Sequence, residues 1–122
     1  MPQVVLDAEI SHVGEHVDEM LNLDYLVLFG VEVPEYIYEF VFTHTASGTT
    51  GEIAAGDTLE IDGIPCPILA VGEVANQTLR DLGHASFVFG NEGEELLPGG
   101  IRVGVAHVPE IHEGTRVRLL SA

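Results

Sequence analysis

The chain has 122 residues, 46% of them hydrophobic, which is enough for one folded core, so a single domain over residues 1–122 is expected. Four cationic side chains, all arginine, face twenty Asp and Glu, and the formal net charge of -16 excludes nucleic acid and anionic membrane surfaces while favouring a basic protein partner. The single cysteine, Cys66, rules out an intrachain disulfide. Residues 1–7 lack the basic and apolar regions of a signal peptide, and no run of ~18 apolar residues occurs, so a cytoplasmic chain without membrane insertion is expected.

In chain order, Val4, Leu6, Ala8 and Ile10 alternate with Val5, Asp7 and Glu9, the period of a half-buried strand. Residues 15–21 carry Val17, Met20 and Leu21 at helical spacing. Residues 25–29 form a compact apolar run closed by Gly30, and the aromatic alternation over 36–43 predicts a strand with Tyr36, Tyr38, Phe40, Phe42 and His44 on its inner face. Strands are expected at 58–61 and 64–71, joined by the hairpin signal Asp62-Gly63. Pro65 and Pro67 cannot donate to a ladder, so the second of these strands should begin irregularly or lie at an edge. A short helix over 74–82 ends at Gly83. Strands at 85–89, 101–105 and 115–120 follow, separated by turns at 90–93 and 98–100. The pattern is all-β: a small closed or partly open barrel of about six to eight mostly antiparallel strands with one or two short helices, since closure removes exposed edges.

His44 ends the aromatic strand and opens the small, hydroxyl-rich segment Thr45-Ala46-Ser47-Gly48-Thr49-Thr50-Gly51. A rim imidazole, partly desolvated and therefore neutral, suits a nucleophile that briefly holds an anion; equally, a rim histidine can simply cap a strand end. Ser47, Gly48, Thr49 and Thr50 offer hydroxyl and N–H groups to a phosphoryl group, yet also read as an ordinary turn without the lysine of a P-loop. His84, after the helix stop, is a candidate assisting group or a structural helix-end histidine. His12, His16, His107 and His112 have no zinc-ligand spacing, so no metal site and no cofactor are expected. Cys66, between two prolines and without a nearby cation, reads as a packing thiol.

Phe42-Thr43-His44, the block from Ala70-Val71-Gly72-Glu73-Val74-Ala75 through Arg80-Asp81-Leu82-Gly83-His84, and Leu97-Pro98-Gly99 resemble the glucitol/sorbitol-specific IIA component of the sugar phosphotransferase system, in the same order over nearly the whole chain. The resemblance implies a phosphohistidine carrier that accepts a phosphoryl group from the phosphocarrier HPr and passes it to the sorbitol-specific IIB component, which works with the membrane component IIC. It matches the acceptor to His44. Members of the family often carry a lysine near the position of Thr50; this chain has none, so phosphate neutralisation falls to N–H groups, hydroxyls, His84 or an arginine. Two protein partners in turn imply a shallow, exposed site. The competing reading is a non-catalytic β-barrel module that binds a protein or small ligand.

Overall fold

A computed structural model describes residues 3–90 and 95–122. Eight strands close into a barrel: β1 Gln3–Val13, β2 Tyr25–Phe29, β3 Phe42–His44, β4 Thr58–Ile61, β5 Ile64–Val71, β6 Ala85–Phe89, β7 Gly100–Val103 and β8 Arg116–Ser121. Their hydrogen-bonded order is β1-β3-β2-β6-β7-β5-β4-β8, with β8 returning to β1. Neighbours are antiparallel except β2 with β3 and β6 with β7. Two helices, α1 Val17–Leu21 and α2 Ala75–Leu82, and a 3-10 helix Glu35–Phe40 fill the connections. The expected all-β barrel is therefore closed and mixed. No helix among the described residues is long and apolar enough to cross a membrane.

The barrel interior is filled from every strand, with Phe42, Phe87, Phe89, Leu28, Leu59 and Leu119 buried in one cluster, and Cys66 is buried there as a packing thiol. The hairpin between β4 and β5 turns at Asp62 and Gly63, both at positive φ (47 and 83), the backbone of a type I′ turn. Pro65 and Pro67 lie in the half of β5 that pairs with β4, opposite Glu60 and Thr58, while pairing with β7 begins only at Ile68. Each proline thus avoids a ladder position that would demand its missing N–H. In β1 the alternation breaks: a register shift between Val4 and Leu6 turns Val5 into the core and leaves Val4 42% exposed.

The aromatic segment departs most from its expected form. Residues 35–40 are a 3-10 helix entered from Pro34, whose extended backbone and fixed φ of -60 start the turn, and the strand shrinks to Phe42–His44. Ile37 packs on a satellite cluster of Val27, Phe29 and Val41, whereas Tyr36 is 82% exposed. Tyr38 stacks on His12 and Phe40 lies against His16, outside the barrel. The barrel interior is already filled by three phenylalanines, and the three further rings of Tyr36, Tyr38 and Phe40 lie outside it, so packing overrides the period-two pattern. Parity nevertheless holds over the last three residues, since Phe42 and His44 are both buried. Residues 91–93 of the expected 90–93 turn lie outside the described residues.

Helix α2 docks through Ala75 and Leu79 and ends at Gly83, whose φ of 64 is the left-handed C-cap that a helix stop requires. One side chain ties its first turn to the barrel: Asn76 Oδ1 accepts from Ile53 N–H and Asn76 Nδ2 donates to Ile53 O, both at 2.9 Å. Ile53 is buried, so both of its main-chain groups depend on this amide. Asn76→Ala should lower the unfolding free energy by about 1–3 kcal/mol, read as an earlier midpoint in urea denaturation; an unchanged midpoint would show that water replaces the amide.

Candidate functional site

His44 is the last residue of β3, held by β1 on one side, where it faces Ile10, and by β2 on the other. Because β2 and β3 run parallel with Phe29 opposite Thr43, the next residue of β2's exit, Gly30, arrives beside the imidazole. A Cβ on Gly30 would come within 2.9 Å of His44 Cε1 and collide with the Ala46 carbonyl. On the other side the C-cap of α2 closes in: a Cβ on Gly83 would lie 2.8 Å from His44 Cε1 and 3.0 Å from Nε2. Glycine is required at both positions by the ring itself, and at Gly83 also by its backbone.

The ring is 2% exposed, not partly exposed at a rim as the sequence suggested. The segment after β3 folds back over it instead of leaving the barrel mouth open. His44 Nε2 lies 2.7 Å from Gly83 O, and the Ala46 N–H donates to Nδ1 at 3.2 Å. A carbonyl only accepts, so Nε2 carries the hydrogen and Nδ1 the lone pair. Burial pushes the imidazole below its ordinary pKa, and the Gly83 bond offsets part of that shift.

The loop candidates divide. Thr45 staples the segment to β1, donating its N–H to Glu9 O and accepting Glu9 N–H on Oγ1, both at 3.0 Å. Thr49 and Thr50 have their N–H groups bonded to Leu79 O and Val5 O, so those donors are committed to the fold. Their side of the loop lines a separate hollow with Arg80 and Asn76. Ser47 is exposed, and among the described residues neither Ser47 nor Gly48 donates its N–H to a protein acceptor. Of the four expected phosphate-binding residues, these two have uncommitted N–H groups, and the Thr49 hydroxyl is buried without a hydrogen-bond partner among the described residues.

His84 is half-buried and stacked on Phe29, with ring centroids 3.8 Å apart. Its Nδ1 donates to Leu28 O at 3.0 Å, which leaves the lone pair on Nε2. Burial lowers its pKa as well, again partly offset by the carbonyl. It lines a cavity of about 150 Å³ with Tyr25, Ser86, Glu95, Leu97 and Arg102. No hydrogen bond joins the two imidazoles among the described residues; they are linked through one peptide, because the Gly83 carbonyl that receives His44 directly precedes His84. Sequence reasoning missed Gly30, Ala46 and Gly83 as parts of the site. The helix-stop signal at Gly83 was the one clue, and it pointed to backbone shape without revealing what the carbonyl bonds.

Comparison with known proteins places this geometry in context. The family described as "PTS system glucitol/sorbitol-specific IIA component" matches residues 5–118. The glucitol/sorbitol-specific EIIA components of Shigella flexneri and Escherichia coli (strain K12) are each 26% identical over 118 residues, covering 97% of this chain and 96% of theirs. The crystal structure of a PTS system IIA component from Enterococcus faecalis V583 has the same fold, with a TM-score of 0.80 at 20% identity over 92% of this chain and 97% of that one. Because the family match extends from the first barrel strand into the last and includes His44, His84 and the loop between β3 and β4, the chain belongs to the glucitol/sorbitol-specific IIA family of the phosphotransferase system.

Proposed function

We propose that His44 is the phosphoryl acceptor through which this chain, by its family a phosphoryl carrier in sugar uptake, takes its group from phospho-HPr and passes it to the sorbitol-specific IIB component. The carrier works in the cytoplasm and needs no metal or cofactor in this reading. The observation that carries it is the fixed imidazole: one nitrogen is bonded to a backbone carbonyl at 2.7 Å, and the ring is held between two glycines, where burial biases it towards the neutral form. A nucleophile so oriented loses little entropy on attack, and phosphoryl transfer asks mainly for alignment and charge stabilisation.

Burial demands one movement. Nδ1 is covered by the segment around Ala46, whose direct tie to the ring is a single hydrogen bond of 3.2 Å. Such a bond has a net worth of about 1 kcal/mol; a docking partner that displaces Ala46, Ser47 and Gly48 must also lift Ala46 from the barrel core, at a cost its own contacts have to offset. Arg80 lines the loop hollow and is paired with Asp81, and Arg102 lines the His84 cavity, while Arg116 and Arg118 are paired with Asp7 and Glu60. The same burial favours a second reading, in which His44 is a structural histidine of a non-catalytic β-barrel module.

Phosphorylation by phosphoenolpyruvate, Enzyme I and HPr separates the two. The carrier reading expects acid-labile label on the native chain and none on His44→Ala or on His44→Gln, whose amide can still meet the Gly83 carbonyl. Undiminished labelling of both variants would remove His44 as acceptor, and an unlabelled native chain would favour the binding module. His84→Ala should slow transfer in both directions, by up to about a hundredfold if its loss misplaces the Gly83 carbonyl; full-rate transfer would make His84 purely structural.

The burial of both rings also sets a pH dependence. Their folded pKa values lie below the ordinary 6.5, so the unfolded chain takes up protons first as pH falls. Their contribution to stability is complete above about pH 6.5 and is lost progressively as pH falls towards the folded values. An NMR titration should find both rings mainly neutral at pH 6.5, where an ordinary imidazole is half charged. A midpoint at or above 6.5 for either ring would contradict the burial argument.

A further inference from the structure

We infer that the phosphoryl group is carried on Nδ1 of His44, and that the C-cap of α2, gripped by Thr78, dictates this by holding the ring proton on Nε2. The inference rests on His44 being the acceptor. Two independent contacts fix the tautomer. Gly83 O can only accept, at 2.7 Å from Nε2, and Ala46 N–H can only donate, at 3.2 Å to Nδ1. Turning the ring over would put carbon atoms at both contacts and lose both hydrogen bonds.

Packing points to the same nitrogen. The Nε2 edge lies against the C-cap of α2: Nε2 is 2.7 Å from Gly83 O, and a Cβ on Gly83 would come within 3.0 Å of Nε2. A phosphoryl group needs far more space than a methyl group. The Nδ1 edge, by contrast, is met by the Ala46 N–H of the loop that follows β3, where Ser47 is exposed and the Ser47 and Gly48 N–H groups make no hydrogen bond among the described residues. Displacing that loop both uncovers the lone pair and frees the Ala46 N–H for a phosphoryl oxygen.

The transfer balances without a base. The Nδ1 lone pair attacks phosphorus in line, the P–N bond to the phosphohistidine of HPr breaks, and its electron pair returns to the donor ring nitrogen. His44 keeps the Nε2 hydrogen, so the phosphorylated ring carries a positive charge beside the dianionic phosphoryl group. That charge develops against the Gly83 carbonyl and the C-terminal end of α2, whose partial negative charge favours a cation. A protonated ring is also the better leaving group when the phosphoryl moves on.

Thr78 holds the carbonyl in place. Its hydroxyl donates to His84 O at 2.7 Å and lies 3.1 Å from Ala75 O, while its own carbonyl accepts His84 N–H at 3.2 Å. Gly83 N–H bonds to Leu79 O at 2.9 Å, so the peptide that presents Gly83 O is fixed at both ends. Thr78 touches neither the ring nor the phosphoryl group and is a positioning residue.

The test is nitrogen-15 and phosphorus-31 NMR on the full chain, labelled on histidine, before and after phosphorylation by phosphoenolpyruvate, Enzyme I and HPr. His44 should show the Nε2–H tautomer before reaction and coupling between phosphorus and Nδ1 afterwards. Thr78→Val should introduce a measurable Nδ1–H population and slow phosphorylation about tenfold, with Thr78→Ser restoring both. Phosphorus on Nε2, or an Nδ1–H tautomer in the native chain, overturns the inference. A Thr78→Val chain with native tautomer and rate overturns the role of the C-cap. Phosphorus on another residue, with His44 still in the Nε2–H form, overturns instead the acceptor assignment on which the inference rests.

Discussion

The hydrogen bond from His44 Nε2 to Gly83 O is the contact on which the rest of the site depends, because it joins residues 39 positions apart that no local preference would bring together. For it to form, β3 must run parallel to β2 so that Gly30 stands beside the ring, and α2 must end against both. The last carbonyl of α2, Leu82 O, accepts from Gly30 and Val31, and Leu79 O accepts from Gly83 and Thr49. The helix end is thus satisfied largely by the strand exit and loop that surround the imidazole. Barrel closure, helix capping and ring orientation are parts of one hydrogen-bonded arrangement.

Burial and reactivity conflict less here than they would for a charged nucleophile. Desolvation penalises the imidazolium, so a buried ring stays neutral and retains a lone pair, while a carboxylate in the same place would lose its nucleophilic form. What burial removes is access, and access is governed by a loop bonded to the ring once and bonded to β1 and α2 at its ends. Under this reading the barrel supplies orientation permanently and exposes the unphosphorylated ring only when a partner docks.

The parts that were legible in the sequence were those set by short-range chemistry. Asp62-Gly63 announced a hairpin because few other residues accept two successive positive φ values, and Gly83 announced the end of α2 for the same reason. Residues 36–40 misled because alternating aromatics fit a strand locally, and nothing in the alternation states that the barrel interior is already occupied; Pro34 was the overlooked signal. His44 stood out by position and family resemblance as the candidate, but its depth was not legible. The lid is made of Gly30, Ala46 and Gly83, residues whose contribution is main chain and small size, and a backbone acceptor has no sequence signature.

The charge of the chain bears on how firmly a phosphoryl group is held. Screening confines each charge to about 10 Å, so the full -16 matters less than the groups bordering the site. Those are mixed: Arg80 shares its hollow with Glu52 and has Asp81 at 3.5 Å, and Arg102 shares the His84 cavity with Glu95. No lysine strengthens the cationic side. A phosphoryl group on His44 would be met chiefly by neutral N–H donors and by the ring's own positive charge, an environment that aligns the group without a strong permanent counter-ion. Tight capture would lower the energy of the phosphorylated intermediate and slow its onward transfer. A carrier between two proteins works best when neither step is steeply downhill, and a neutral cradle in an acidic shell meets that requirement.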